Sequence, residues 1–196
     1  YIEFFEINTD AISTNRGFYY QYLVTLKKWI LNYINQKENF IYCEVDDDIK
    51  EIGSKLIFTQ VKCYSNTFSL KSDEIKKSIF NFFIQYLKNN QSIPVEFCFY
   101  TNTSISPREK LLQAWVSNPE LKDREIAKQV LKTIKEILNA ELNKHKRRKL
   151  EKKNITSTEK DIIKDFAVKL KQEVANLKVD TFPKHIKCEF LYYNNI

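Results

Sequence analysis

The sequence predicts an α/β fold with a mixed central sheet flanked by helices and a helical C-terminal half. Helically spaced apolar residues over about 16–35 precede two β-branched and aromatic runs, at 40–49 and 55–64, which are joined by a turn containing Gly53. Another helical segment, an apolar strand, further helices and a closing strand follow. This order is typical of a sheet covered by helices.

Length and composition support one globular domain. The chain has 196 residues, 43% of them hydrophobic, with two glycines and four prolines, which excludes disordered and low-complexity proteins. We expect a single domain over 1–196, with a core at about 14–105, a helical extension at about 106–180 and a closing strand at about 185–193.

The sequence shows no targeting signal. No apolar run reaches the length of a membrane span and no signal peptide is visible, so we expect a cytoplasmic protein with no membrane partner. The chain starts at Tyr1 and contains no methionine, which suggests a fragment of a longer protein with further regulatory domains.

The first helix is expected to be buried on two faces. Residues 13–15 offer Ser, Thr and Asn as N-caps for a helix over about 16–35. Helical spacing predicts a core stripe formed by Tyr19, Tyr22, Leu23, Leu26, Ile30, Tyr33 and Ile34. Tyr20, Val24 and Leu31 add apolar groups on the opposite side. Gln21 points away from the main stripe, as an ordinary polar position does.

The two strand-like runs bring acidic side chains beside an amide and an ammonium group. Because strand side chains alternate between faces, Glu44, Asp46 and Asp48 share one face of the first run. Gln60 and Lys62 share one face of the second. Carboxylate and amide oxygens suit Mg²⁺ or Mn²⁺, and a lysine beside such a metal orients a water or offsets phosphate charge. The pattern predicts a metal-dependent phosphodiesterase, although separately such residues also occur in solvated turns and at strand edges.

The pairing of the two strands decides which acid meets Gln60. A hairpin that is symmetric about 52–53 places Asp46 near Gln60. A bulge, or a first strand that ends early, favours Asp48 or Asp47 instead. The residues alone leave these alternatives open.

Caps and chain breakers delimit the remaining elements. Ser72 and the segment 156–158 are N-caps, 106–109 has the pattern of a capping box with proline at the first helical position, and Asn118-Pro119 is a break. The predicted segments are a helix from Ser72, a strand at 95–100 central in the sheet, helices at 107–116, about 120–149 and about 156–177, and a closing strand at 185–193.

The charge of the chain favours a polyanionic partner. The formal net charge is +7, and a basic run near the end of the long helix contains Lys146, Arg147, Arg148 and Lys149. Clustered cations bind phosphates with release of counterions, so the run is a candidate nucleic-acid contact. The alternative is a solvated helix face.

Cysteine and histidine usage excludes several kinds of metal site. The four cysteines lie far apart without a C-x-x-C pair, which indicates buried thiols rather than zinc ligands or disulfides. The only histidines are His145 and His185. A histidine-rich metal cage or a His-metal nuclease motif therefore lacks its ligands.

Four short segments, mainly in the first half, carry a family resemblance: Arg16–Gln21, Glu44–Ile49, Gln60–Lys62 and Phe99–Asn102. Their order and spacing are similar to the core of restriction-endonuclease-like, PD-(D/E)XK nucleases. Within that group the chain resembles the double-stranded-DNA endonuclease domain of CD-NTase-associated (CBASS) effectors and related Avs-type anti-phage ATPases. The helical second half matches in outline.

The resemblance implies roles for individual residues. Asp48, followed by the apolar Ile49, resembles the metal-binding aspartate of the second core strand, and Asp46 ranks second. Gln60 stands at the acid position of the D/E-x-K element and Lys62 at its catalytic lysine. Gln60 departs from the pattern by removing one negative charge, although Q-x-K variants occur among active members of the Mrr-like branch.

The expected function follows from these residues and from the resemblance. The leading interpretation is a Mg²⁺-dependent (or Mn²⁺-dependent) endonuclease for double-stranded DNA, the effector of an anti-phage system, with Gln21 as a possible site residue from the first helix. Two-strand cleavage generally needs two sites, so a homo-oligomer is expected. The alternatives are a catalytically inactive module that holds nucleic acid through Arg147 and Arg148, and a structural or oligomerisation domain.

Overall fold

Helices flank a five-stranded sheet in the part of the chain that the structure describes. A computed structural model describes residues 15–45, 47–63, 67–89 and 93–190. The strands are β1 Phe40–Val45, β2 Asp47–Ile52, β3 Leu56–Lys62, β4 Val95–Thr101 and β5 Ile186–Phe190. The helices are α1 Asn15–Ile34, α2 Asp73–Asn89, α3 Lys110–Ser117, α4 Arg124–Leu150 and α5 Ser157–Asn176, with a short 3₁₀ helix at Phe182–His185.

The sheet is mixed, in the order β1-β2-β3-β4-β5. The first three strands pair antiparallel, and β3, β4 and β5 pair parallel. β4 therefore lies between two neighbours, as its continuous apolar sequence predicts. The predicted α/β class, with a mixed sheet and a helical second half, is confirmed.

The predicted single strand at 40–49 is wrong, because the chain reverses within it. Val45 pairs with Asp47 and Cys43 with Ile49, so β1 and β2 are antiparallel neighbours and the hairpin is a three-stranded meander. Glu44 has a left-handed backbone, with φ of 61°, which interrupts an extended strand. Aspartates favour turns over strands, and Asp46, which separates β1 from β2 in the sequence, lies outside the described residues.

The prediction that α1 is buried on two faces is also wrong. Its inner side chains Tyr20 and Val24 pack with Ile49, Val61 and Tyr100 in a small cluster on one side of the sheet. The helix lies on β1 and β3, which offer one layer to pack against. The stripe that the sequence predicts as core is exposed instead, and it consists of Tyr19, Tyr22, Leu23, Leu26, Ile30, Tyr33 and Ile34.

The larger core lies on the other side of the sheet. α2 presents Phe82 and Phe83 to the sheet and to the 3₁₀ helix, and the ring centroids of Phe82 and Phe97 are 5.0 Å apart. α4 packs on α2 and α5 and extends the same core. No helix in the described ranges is long and apolar enough to cross a membrane.

Two predicted boundaries differ from the structure. α3 begins at Lys110 rather than Pro107, because the Glu109 carboxylate accepts a hydrogen bond from Ser69 instead of closing a capping box. β5 starts at Ile186 because the 3₁₀ helix includes His185. The residues after 190 lie outside the described part of the chain.

Candidate active site

The register of β2 and β3 places Asp48 opposite Gln60. Lys50 pairs with Phe58 and Ile49 with Thr59, and the same register carried one step beyond this last pair sets Asp48 opposite Gln60, whose side chain it contacts. This register differs by two residues from that of the symmetric hairpin. The pairing of Asp46 with Gln60 is therefore wrong, and the early end of the first strand is the alternative that holds.

Carboxylate, amide and ammonium groups meet at the ends of these two strands. The Asp48 carboxylate accepts a hydrogen bond of 2.7 Å from the Val61 backbone N–H and another from the Gln60 side chain. The Lys62 Nζ atom lies 3.8 Å from the same Asp48 oxygen. Because Asp48 and Lys62 are 14% and 28% exposed, their attraction is less screened than that of a surface pair. The structure thus brings together three of the predicted site residues.

Gln21 joins this group from α1. The side chain is buried, and its amide nitrogen lies 2.6 Å from a Glu44 carboxylate oxygen and 2.9 Å from the Asp48 backbone oxygen. Gln21 therefore holds the reversal between β1 and β2 in place. Periodicity alone treats this residue as an ordinary polar position, and the family resemblance is what indicates it.

Ser78 is a site residue that the sequence analysis missed. It lies on α2, is 3% exposed, and its hydroxyl oxygen is 3.0 Å from the Gln60 side-chain oxygen. The same hydroxyl lies 2.8 Å from the Glu74 backbone oxygen. A polar residue on the apolar face of a predicted helix was the available signal.

The contacts of Ser78 bear on whether a cation fits beside Asp48. A hydroxyl has one hydrogen, and serines within helices donate it to the carbonyl four residues earlier, here that of Glu74. In the structure the Ser78 hydroxyl also lies within donating distance of the Gln60 side-chain oxygen, and the Gln60 amide nitrogen donates to Asp48; if Ser78 instead accepts from that nitrogen, the amide is turned by 180°. The turned amide would present its oxygen, a group that can bind a metal ion, to Asp48.

This donor set fits a hard divalent cation. A carboxylate oxygen and an amide oxygen are ligands that Mg²⁺ accepts, with water completing its octahedral shell. Among the residues that the structure describes, no group of three or more His, Cys, Asp or Glu side chains is placed to hold a metal ion. A metal here would therefore depend on the Gln60 amide, on water, or on Asp46 and the Asp47 side chain, neither of which the structure describes.

The basic run lies at the end of α4, on the other side of α2 from the strand residues. Phe80 stacks on His145, with ring centroids 5.1 Å apart, whereas Ser78 faces Gln60. Side chains two positions apart on a helix, as Ser78 and Phe80 are, point about 200° apart. α2 therefore lies between the basic run and the group formed by Asp48, Gln60 and Lys62. The structure does not bring these two groups of predicted residues together.

The charge of the basic run comes from its lysines and arginines. Arg147 and Arg148 are exposed, and Lys146 and Lys149 are half-buried. Burial lowers the pKa of His145, so its imidazole is neutral at neutral pH, although Glu141 opposes the shift. Burial, and then the neighbouring Lys152, also lower the pKa of Lys149.

Comparison with known proteins assigns the family. A family model described as "Cap4, dsDNA endonuclease domain" matches residues 12–190, a range that includes every helix and strand described above. The chain matches no curated protein and no solved structure. The resemblance to the nuclease domain of CBASS effectors is confirmed, and since the match spans most of the sequence, the chain belongs to the family of Cap4 dsDNA endonuclease domains.

Proposed function

We propose that this domain is an active, metal-dependent endonuclease that cuts double-stranded DNA as the effector of an anti-phage defence system. The observation that supports this most is the cluster of Asp48, Gln60 and Lys62, in which a carboxylate and an ammonium group lie 3.8 Å apart beside an amide. Membership of the Cap4 nuclease family supports DNA as the substrate.

Asp48 and the oxygen of Gln60 would hold Mg²⁺ or Mn²⁺, with Asp46 as a further candidate ligand. A bound divalent cation supplies Lewis-acid polarisation of the scissile phosphate and lowers the pKa of a bound water. The Val61 N–H fixes the Asp48 carboxylate through a bond of 2.7 Å. Ser78 holds the Gln60 amide from the side of α2.

Lys62 is the residue that we assign to the attacking water. Its ammonium group is held near Asp48 and donates hydrogen bonds without accepting any, so it orients the water and offsets the charge that develops on the phosphate. Gln21 acts as a positioning residue, because it ties Glu44 and the Asp48 backbone to α1.

A metal titration tests the proposal. We expect no cleavage of supercoiled plasmid in EDTA and saturable cleavage as Mg²⁺ or Mn²⁺ is added, measured by gel electrophoresis of nicked and linear products. The alternative function is an inactive nuclease-like module, favoured by the missing acid at Gln60. Salt-sensitive DNA binding with no cleavage at any metal concentration would support that module and contradict the enzyme.

The basic run is expected to contribute to DNA affinity and not to chemistry. Replacing Lys146, Arg147, Arg148 and Lys149 together with alanine should weaken binding to duplex DNA. The slope of log K against log salt should fall by about 0.9 for each phosphate that the variant no longer neutralises. Fluorescence anisotropy at several salt concentrations measures both quantities.

A matched control removes the same charge elsewhere. Lys160, Lys164, Lys169 and Lys171 are exposed on α5, and their alanine variant should keep the wild-type salt slope. Equal losses of affinity in the two variants would show that only net charge matters, and would remove the basic run from the DNA interface.

A further inference from the structure

The outer face of α1 exposes large apolar side chains along the length of the helix. Tyr19, Trp29 and Tyr33 are 71%, 52% and 87% exposed. At about 100° per residue, the apolar positions between 18 and 34 cover an uninterrupted arc of about 160°. Such an arc normally faces a core or a partner.

This face carries no charged group. The only charged residues between 18 and 34 are Lys27 and Lys28. The Lys27 ammonium donates to the Tyr100 hydroxyl at 2.9 Å, and the Lys28 ammonium pairs with Glu51 at 2.5 Å, so both are drawn toward the sheet. A face without cations does not suit DNA, which is bound through its phosphates.

The centre of the face has the spacing of a helix-helix seam. Its residues are Tyr19, Leu23, Leu26, Ile30 and Tyr33, separated by steps of four, three, four and three. The series is nearly palindromic in residue type. It has a tyrosine at each end, a leucine in the middle and an aliphatic residue between the middle and each end. Two antiparallel copies related by a twofold axis at Leu26 would place Tyr19 of one against Tyr33 of the other.

The face is also large enough for a stable dimer. An aromatic side chain presents about 150–250 Å², so the exposed parts of Tyr19, Tyr22, Trp29 and Tyr33 amount to about 500 Å² before any aliphatic group is added. The largest apolar patch on a monomer is about 300–600 Å² in total, and a standard interface buries about 800 Å² on each partner.

We propose that a second copy of this chain covers this face, through antiparallel packing of α1 on α1 about a twofold axis at Leu26. A self-complementary pattern is what a twofold interface requires, because each contact between two positions occurs twice. A different partner would give no reason for the palindromic order.

The pairing has a consequence for the candidate active site. Gln21 lies on the inner side of the same helix and contacts Glu44 and the Asp48 backbone. A pair of α1 helices packed about 8–10 Å apart would therefore carry one candidate site on each outer side of the pair. This consequence rests on the proposed function, whereas the self-association does not.

Charge substitutions at the axis test the interface. The wild-type chain, without DNA or metal, is expected to sediment as a dimer in analytical ultracentrifugation. Leu26→Asp and Leu26→Arg each place like charges across the axis, and each should weaken the dimer by at least about 100-fold. An equimolar mixture of the two variants should restore the dimer, because opposite charges then meet at the axis.

Two controls show whether the effect is specific to this face and whether the variants stay folded. Val168→Asp makes a similar change on α5, where Val168 is 62% exposed, and should leave the dimer intact. Circular dichroism should show that the Leu26 variants are folded, since Leu26 is 48% exposed. A monomeric wild type, a dimer that tolerates Leu26→Asp, or a mixture that stays monomeric would each overturn the proposal.

Two further experiments show whether a second copy or residues 1–14 cover the face, and separate the dimer proposal from the nuclease proposal. If the wild type is monomeric and removal of residues 1–14 makes it dimerise, that segment covers the face and a second copy does not. Lys62→Ala should dimerise as the wild type does. A dimer that cuts no DNA would contradict the nuclease proposal alone, and a monomer that cuts DNA would contradict the dimer alone.

Discussion

Replacing Lys62 with alanine is expected to reduce cleavage of double-stranded DNA by about 100- to 1,000-fold, the usual effect of removing one group that stabilises transition-state charge. The Lys62 side chain is 28% exposed and lies at the end of β3, outside the apolar core. The variant should therefore fold and bind DNA as the wild type does. Initial nicking rates under saturating Mg²⁺, together with anisotropy and a melting curve, measure these properties.

Lys55 provides a matched control for this substitution. It directly precedes the opposite end of β3, where its ammonium group lies 2.6 Å from the Glu96 carboxylate. In Lys55→Ala, Glu96 keeps an ion pair of 3.1 Å with Lys187, so cleavage should stay near the wild-type rate. Nicking by a folded Lys62→Ala protein at a rate close to that of Lys55→Ala would refute the role of Lys62.

Much of the fold could be predicted because local signals and tertiary packing agree. Apolar periodicity and an acidic first turn predict α2, and a capping box formed by Thr156 and Glu159 starts α5 where the sequence places a cap. The apolar run of β4 indicates a strand with neighbours on both sides, as observed. In these elements no competing interaction overrides the local preference.

The errors arise where the sequence does not determine what an apolar or polar residue contacts. The apolar stripe on α1 shows which side chains gain free energy from burial, but not whether the same chain or a partner covers them. The reversal before Asp47 depends on the left-handed backbone of Glu44, which a strand-like composition conceals. The contact between Asp48 and Gln60 depends on the register of β2 and β3, which the length of the turn sets and the residue types alone do not.

Replacing Asp48 with asparagine is expected to reduce metal-dependent cleavage by more than about 100-fold, since changes to groups that merely support a metal ligand already reduce activity or affinity by 10- to 100-fold. Asparagine keeps the size of the side chain and an oxygen that accepts from the Val61 N–H, so the fold should persist. Calorimetric titration with Mn²⁺ should show a matching loss of affinity. Unchanged Mn²⁺ affinity in the variant would place the metal elsewhere.

Gln60→Glu distinguishes a metal ligand from a hydrogen-bond donor at this position. If the Gln60 oxygen faces a cation, the added charge should lower the Mg²⁺ concentration needed for half-maximal cleavage. In EDTA the variant should melt at a lower temperature than the wild type, because two carboxylates then meet without a cation between them. Mg²⁺ should raise the melting temperature of the variant more than that of the wild type. A ligand stabilises the folded state by an amount that grows with the logarithm of its concentration divided by its dissociation constant, and the variant should bind Mg²⁺ more tightly. A variant that is destabilised and gains nothing from Mg²⁺ would mean that the Gln60 amide donates to Asp48, and that the metal does not lie between them.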